Sequence, residues 1–151
     1  MHTDLWSFAI TVYARPGVQQ ECLALQEAGG NVCLILCGLW LEIRGVEPVR
    51  ERITALQAIA EPWHAQVIAP LRTLRQAWRM QAGADTDLSV LREQVKALEL
   101  AAERTLLQRL QHSAAPWPTG AQGQWLEGLV PQLAGCDHDT LPRLRAAAKV
   151  A

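Results

Sequence analysis

The sequence lacks any apolar stretch long enough to cross a lipid bilayer. Its longest apolar segment, residues 32–41, ends at Glu42 and is about half as long as the ~20 residues that a transmembrane helix needs. No basic region precedes the apolar residues 5–13, as one would in a secretory signal peptide. We therefore expect a cytoplasmic protein without a membrane span.

Lysine is also scarce, since only 2 of the 14 basic residues are lysine and the formal net charge is -1. This balance argues against a strongly basic surface, so nucleic acid is not an expected partner. The 151 residues include 50% hydrophobic and 19% charged side chains, a composition that excludes a disordered chain. The length suits one domain, or one domain with a helical appendage.

The common catalytic motifs are absent from the sequence. It contains no GxSxG, P-loop, GxGxxG, HExxH or CxxC pattern, and its four histidines stand apart from any obvious nucleophile. The sequence therefore assigns no catalytic residue, and we expect neither a resident metal nor another cofactor.

Val, Ile and Thr are sparse, so strand propensity is low, while Ala and Leu recur at helical spacing. These patterns predict an all-α protein with a compact orthogonal core of about five helices. A C-terminal helical arm with one long helix follows the core. We place the core at residues 1–81 and the arm at residues 86–151, either separate from the core or packed on it.

Helix-capping and helix-breaking residues divide the predicted core. Asn31 is a cap for a third helix whose residues 32–41 are apolar on nearly all sides, which predicts a central, buried helix. Gly45 ends that helix. We expect a break at residues 61–62, where proline begins a fifth helix, and a kink at Pro70, which cannot donate a hydrogen bond to the carbonyl of Gln66.

The long helix of the arm is predicted over residues 87–111. Its predicted apolar stripe consists of Leu88, Leu91, Val95, Leu98, Ala102, Leu106 and Leu110, and its predicted exposed positions include Glu93, Lys96, Glu99 and Glu103. The helices before it are too short to cover this stripe from end to end. We therefore expect Leu106 and Leu110, together with Trp117 in the following Pro-rich loop, to contact a protein partner or a second copy in a homodimer.

The first part of the chain resembles a family of small proteobacterial proteins classed as a domain of unknown function. The resemblance rests on the pattern LWxFAxxVYxxPGVxxxCLxLQ over residues 5–26, on residues 31–41, on Trp63 and on the sequence Pro70-Leu71-Arg72. It covers roughly residues 5–79. It implies a bacterial, cytoplasmic, all-helical protein and brings no activity with it.

Arg72, Arg75 and Arg79 share one side of the predicted fifth helix. Such a face is either solvated or able to hold phosphate, nucleic acid or an acidic protein surface. We include these three arginines among the candidate binding residues.

Three cysteines lie within apolar helical segments, which is typical of reduced, buried thiols. Cys33 and Cys37 are four residues apart and share a helix face, Cys22 faces them from the preceding helix in the predicted fold, and His64 is able to approach. Three thiolates and an imidazole suit zinc, whereas core packing explains the same pattern without a metal.

Together these features favour a non-enzymatic cytoplasmic interaction module, an adaptor or regulator of another protein. The alternative is a protein that binds a small ligand or metal, or an enzyme, with a pocket near Cys22, Cys33, Cys37 and His64.

Overall fold

A computed structural model of the chain describes residues 4–129 and 139–149, and within these ranges it contains helices and no strand. The elements are α1 (Leu5–Tyr13), α2 (Val18–Glu27), α3 (Val32–Arg44), α4 (Arg50–Trp63), a π-helical segment (His64–Ile68), α5 (Ala69–Ala77), α6 (Arg79–Ala82), α7 (Thr86–Ala114), α8 (Leu126–Leu129) and α9 (Thr140–Lys149). The predicted all-α fold with one long helix is confirmed. The fourth cysteine of the sequence, Cys136, lies outside the described residues.

Side-chain caps begin several helices, and the cap predicted at Asn31 is one of them. Asn31 accepts a hydrogen bond from the backbone N–H of Leu34 at 3.2 Å, and Asp4 accepts one from Ser7 at 2.9 Å. These bonds satisfy backbone donors that the first turn of a helix leaves without a partner. Gly45 ends α3 in the left-handed region at φ +72°, which glycine adopts without strain.

Helix α3 is the centre of the molecule. Residues 33–41 are all buried, and the helix packs on α1, α2, α4, α7, α8 and α9. Since only full burial accommodates a helix that is apolar on all sides, the predicted central position is confirmed.

The predicted break at residues 61–62 is wrong. Helix α4 continues through Pro62 to Trp63, and the π-helical segment joins it to α5, in which Pro70 lies in the first turn. Both prolines are exposed, and so are Ala58 and Gln66, the residues four positions before them. Water can therefore bind the two carbonyl groups that proline leaves without a donor, and the helical path continues.

Helix α7 packs on α1, α3, α4, α5 and α6, and its buried residues all lie from Glu99 onward. Three predicted positions need correction: Leu91 and Leu98 of the predicted stripe are exposed, whereas Glu99, predicted on the exposed face, is buried. The second half of α7 belongs to the same hydrophobic cluster as α1 and α3. The boundary between a core of residues 1–81 and an arm of residues 86–151 stays a prediction.

The segment before α8 crosses the end of α3. The backbone N–H of Ala121 donates to the carbonyl of Gly45 at 2.7 Å, and the indole of Trp125 donates to the carbonyl of Val46 at 2.7 Å. Gly38 lets α8 pack directly on α3, because a Cβ at that position would lie 2.6 Å from Cδ1 of Leu129. This segment therefore fixes the C-terminal elements to the central helix.

Of the helices within residues 4–129 and 139–149, none combines the length and the apolar character that a bilayer crossing requires.

Candidate ligand-binding cavity

A cavity of about 480 Å³ lies on the side of α3 that faces α1 and α2, and the π-helical segment, α5 and α7 complete its walls. This volume lies in the range of ~300–1,000 Å³ that is typical of small-molecule sites. Five helices and the π-helical segment, drawn from residues 6–107 of the chain, thus contribute to one concave space.

Most of the cavity wall is apolar. Ala9, Leu36, Ile68 and Leu107 are buried and form its interior, while Trp6 contributes an aromatic ring. At the mouth, the side chains of three aliphatic residues are about half exposed: Ile10, Leu23 and Leu100. An apolar ligand that entered would remove this surface from water, which is favourable.

One wall of the cavity is polar and is centred on Arg72 of α5. Its Nε lies 3.1 Å from Oε2 of Glu99, and its Nη2 lies 3.4 Å from Oε1 of Glu103, both on α7. With its amide oxygen turned toward Arg72, Gln26 of α2 accepts hydrogen bonds from Nε at 3.0 Å and from Nη1 at 3.1 Å. Side chains of two other helices, α2 and α7, therefore position this guanidinium group.

The carboxylate of Glu99 forms ion pairs with two arginines, Arg72 and Arg75. Besides Arg72, it accepts hydrogen bonds from Nε of Arg75 at 2.5 Å and from Nη2 of Arg75 at 3.3 Å. Its side chain is only 8% exposed, so an unpaired charge would be costly there and these partners are required. The backbone carbonyl of Arg75 in turn accepts a hydrogen bond from Nε of Arg92 at 2.9 Å.

The surroundings of the polar wall shift the pKa values of three lining residues. Burial and the charge of Glu99 raise the pKa of Glu103, against the opposing effect of Arg72. Burial and the nearby charge of Arg72 lower the pKa of His64, which keeps the imidazole neutral at pH 7. Burial also raises the pKa of the Tyr13 hydroxyl.

The cysteines contribute differently to the cavity. Cys22 and Cys33 line it, whereas Cys37 does not. Burial raises the pKa of Cys22 to about 11 and also raises the pKa values of Cys33 and Cys37, so all three are thiols at neutral pH. In the described part of the chain, no group of three or more His, Cys, Asp or Glu side chains is placed to hold a metal ion.

His64 lines the cavity at the first position of the π-helical segment. Such short widened turns inside α-helices occur frequently at functional sites, because they alter the direction of the side chains. Ile68, at the other end of the same segment, also lines the cavity. The segment thus directs one polar and one apolar side chain into the same space.

The candidate binding residues are distributed over several environments. Arg72 lines the cavity, Arg75 pairs with Glu99, and Arg79 is exposed on α6. Leu106 and Leu110 are fully buried within this chain, which leaves their side chains no surface for a partner. Their burial removes the reason to expect that a second molecule covers them.

Trp117 also packs within the chain. Its ring stacks on the buried Trp125 with the ring centroids 5.9 Å apart, and the guanidinium of Arg52 lies over the Trp117 ring, 5.6 Å from its centroid. Offset aromatic pairs at this separation are favourable. A role for Trp117 in contacting a partner stays a prediction.

Glu103, Gln26 and Tyr13 line the cavity but are not among the candidate residues predicted from the sequence. Helical spacing predicts an exposed position for Glu103 on the long helix, and no local pattern indicates its inward position. Gln26 and Tyr13, however, belong to the pattern over residues 5–26 on which the family resemblance rests. Trp6, Cys22 and Leu23 of that pattern line the cavity as well.

Among curated proteins and among solved structures, nothing matches the chain. A family model does match, over residues 4–110, and this span includes all of the described residues that line the cavity. The chain belongs to the family described as Protein of unknown function (DUF2390).

Proposed function

We propose that this protein binds a small, largely apolar ligand in the cavity between α1, α2, α3 and α7. The observation that carries the proposal is the combination of a space of about 480 Å³, an apolar interior and one polar wall. Binding sites for small molecules commonly have this composition, since apolar contacts supply affinity and a few polar groups fix orientation.

The half-exposed aliphatic residues at the mouth support the same proposal. Leu23 is 53% exposed and Leu100 is 54% exposed, although both border an apolar interior. A bound ligand would bury part of this surface. The proposed function is therefore recognition of a small molecule. The thiols of Cys22 and Cys33 in the described cavity are protonated at neutral pH, so neither is an activated nucleophile.

The test uses N-phenyl-1-naphthylamine, an uncharged fluorescent probe, because the natural ligand is not identified. We expect saturable binding of one probe per chain. Leu23→Trp at the mouth and Leu36→Phe in the interior should each weaken binding by about tenfold or more, since the added atoms occupy the ligand space.

Met80→Trp is the matched control, since it adds an indole at a position that is 89% exposed and does not line the cavity. This variant should bind the probe as the parent protein does. Binding that does not saturate, or equal losses in Leu23→Trp and Met80→Trp, would contradict the proposal.

A second candidate function, contact with a protein partner or a second copy, is favoured by a different surface. Val90, Leu91 and Leu98 are about half exposed on the first half of α7. If they form a homodimer, light scattering at micromolar concentration should give about twice 16.7 kDa. Leu98→Glu should then halve the mass, whereas Gln108→Glu, on an exposed position of the same helix, should not.

A further inference from the structure

The formal charges that border the cavity balance one another. Among the described residues that line it, Arg72 supplies one positive charge and Glu103 one negative charge, and the imidazole of His64 is neutral at pH 7. Directly behind this wall, Arg75 and Glu99 form a second pair. The polar wall is therefore complete without a charged ligand.

A charged ligand would disturb this balance. A carboxylate placed beside Arg72 would also approach Glu103, while an ammonium or amidinium group beside Glu103 would approach Arg72, because the two side chains are 3.4 Å apart. Either ligand would bring one unpaired charge into a partly desolvated space, which is costly. An uncharged ligand avoids that cost.

The same two side chains present a hydrogen-bond donor next to a hydrogen-bond acceptor. Nη2 of Arg72 carries N–H donors, and Oε1 of Glu103 is an acceptor. Their contact of 3.4 Å is long for a hydrogen bond, so little is lost when a ligand inserts there. A carbonyl next to an N–H is complementary to this edge, because the carbonyl accepts from Arg72 and the N–H donates to Glu103.

We propose that the ligand of this cavity is an uncharged molecule with an apolar ring system and a carboxamide or lactam edge, which binds across Arg72 and Glu103. The inference rests on the proposed function, since it specifies the ligand class of the same cavity. The ring system lies against Trp6, Leu36 and Leu107, and the amide edge faces the polar wall.

The experiment compares three molecules of nearly the same shape that differ in charge: 2-naphthamide, 2-naphthoate and 2-naphthamidine. Each competes with N-phenyl-1-naphthylamine at about pH 8. We expect the uncharged amide to displace the probe at a concentration about tenfold or more below that of either ion, as expected when a charged group would be left without a partner.

A variant then changes the charge of the wall. Glu103→Gln keeps the shape of the side chain and leaves Arg72 with an excess positive charge, so 2-naphthoate should gain about tenfold relative to 2-naphthamide. Glu93→Gln is the control on the same helix, since Glu93 is exposed and pairs with Lys96 outside the cavity. This control should leave the order of the three molecules unchanged.

The possible failures are distinguishable. If the fluorescent probe does not bind, the proposed function itself is contradicted. If the probe binds but an ion competes as well as the amide, or none of the three competes, the cavity function stands and the ligand class proposed here is overturned. An unchanged order of affinities in Glu103→Gln also overturns it.

Discussion

The two sides of α3 differ in how closely the rest of the chain approaches them. On one side, Gly38 lets α8 lie so close that a single added carbon would contact Leu129, Leu126 and Trp125. On the other side, Cys33 and Leu36 border the cavity of about 480 Å³. One helix of 13 residues thus separates a closely packed region from an unfilled one. Such a gap in the packing has a cost, so its presence beside polar side chains is consistent with a binding role.

Two carboxylates near the two sides of α3, those of Glu42 and Glu103, also differ, in the number of hydrogen bonds that they accept. Glu42 accepts hydrogen bonds from the backbone N–H groups of Trp125 and Leu126 and from Nε and Nη2 of Arg145, at 2.7–3.2 Å. Glu103 accepts one side-chain hydrogen bond, at 3.4 Å, among the bonds described for it. Glu42 therefore serves structure, whereas Glu103 retains capacity for a further partner.

The largest effect should come from Glu42→Ala. The change leaves two backbone N–H groups without their acceptor and deprives Arg145 of one of the two carboxylate partners that it has among the described residues, Glu127 being the other. We expect a loss of about 3 kcal/mol in the free energy of unfolding, at the lower end of the range for a fully buried pair because the Arg145 side chain is 18% exposed. Thermal unfolding followed by circular dichroism should show a decrease of roughly 10 °C.

Glu47→Ala is the control, since Glu47 is exposed and lies just beyond the end of α3. It should change the melting temperature by no more than about 2 °C, as expected for a surface substitution. A similar decrease in both variants would mean that Glu42 does not fix the C-terminal segment to α3.

Much of the fold can be predicted from the sequence because local chemistry determines it. The cap at Asn31, the end of α3 at Gly45 and the burial of residues 33–41 all follow from neighbouring residues. The continuation of α4 through Pro62 does not follow from neighbouring residues, because it depends on which face of the helix meets water. The inward position of Glu99 likewise depends on Arg72 and Arg75, which lie on another helix.

The candidate cavity is less predictable than the helices around it. The cysteines and His64 indicated one region, and the structure places Cys22, Cys33 and His64 there but leaves out Cys37. Its polar wall combines Gln26 of α2 with Arg72 of α5 and Glu103 of α7. Helical spacing gives the face of each residue on its own helix and contains no information on how separate helices meet.

Enlarging a side chain should destabilise the protein on one side of α3 more than on the other. Gly38→Leu inserts atoms where Leu129 already lies, so we expect a loss of about 2 kcal/mol, typical of overpacking. Leu36→Phe directs its added atoms into the cavity and should change stability by less than about 1 kcal/mol. Urea unfolding of both variants measures the difference.

Gly38→Ala is an intermediate control, since its single carbon meets the flexible end of the Leu129 side chain and also improves helix propensity. It should lose less stability than Gly38→Leu. If Leu36→Phe destabilised the protein as much as Gly38→Leu, the two sides of α3 would be equally packed and the cavity would not be an open space in solution.

The smallest effect concerns the pH dependence of Glu103→Gln. Because the folded state raises the pKa of Glu103 above its ordinary value of 4.5, the protonated carboxyl is favoured on folding. The associated stability is present below about pH 4.5 and is lost as the pH rises through the folded-state pKa, whereas glutamine does not titrate. Glu103→Gln should therefore gain stability relative to the parent protein as the pH increases from about 4 to 7, by no more than about 1 kcal/mol for a partly exposed group. Urea unfolding of both proteins at several pH values measures this difference, in which the other titrating groups cancel. If Glu103→Gln instead lost stability relative to the parent as the pH increased, Arg72 would be stabilising the Glu103 carboxylate fully, and the polar wall would leave no acceptor for a ligand.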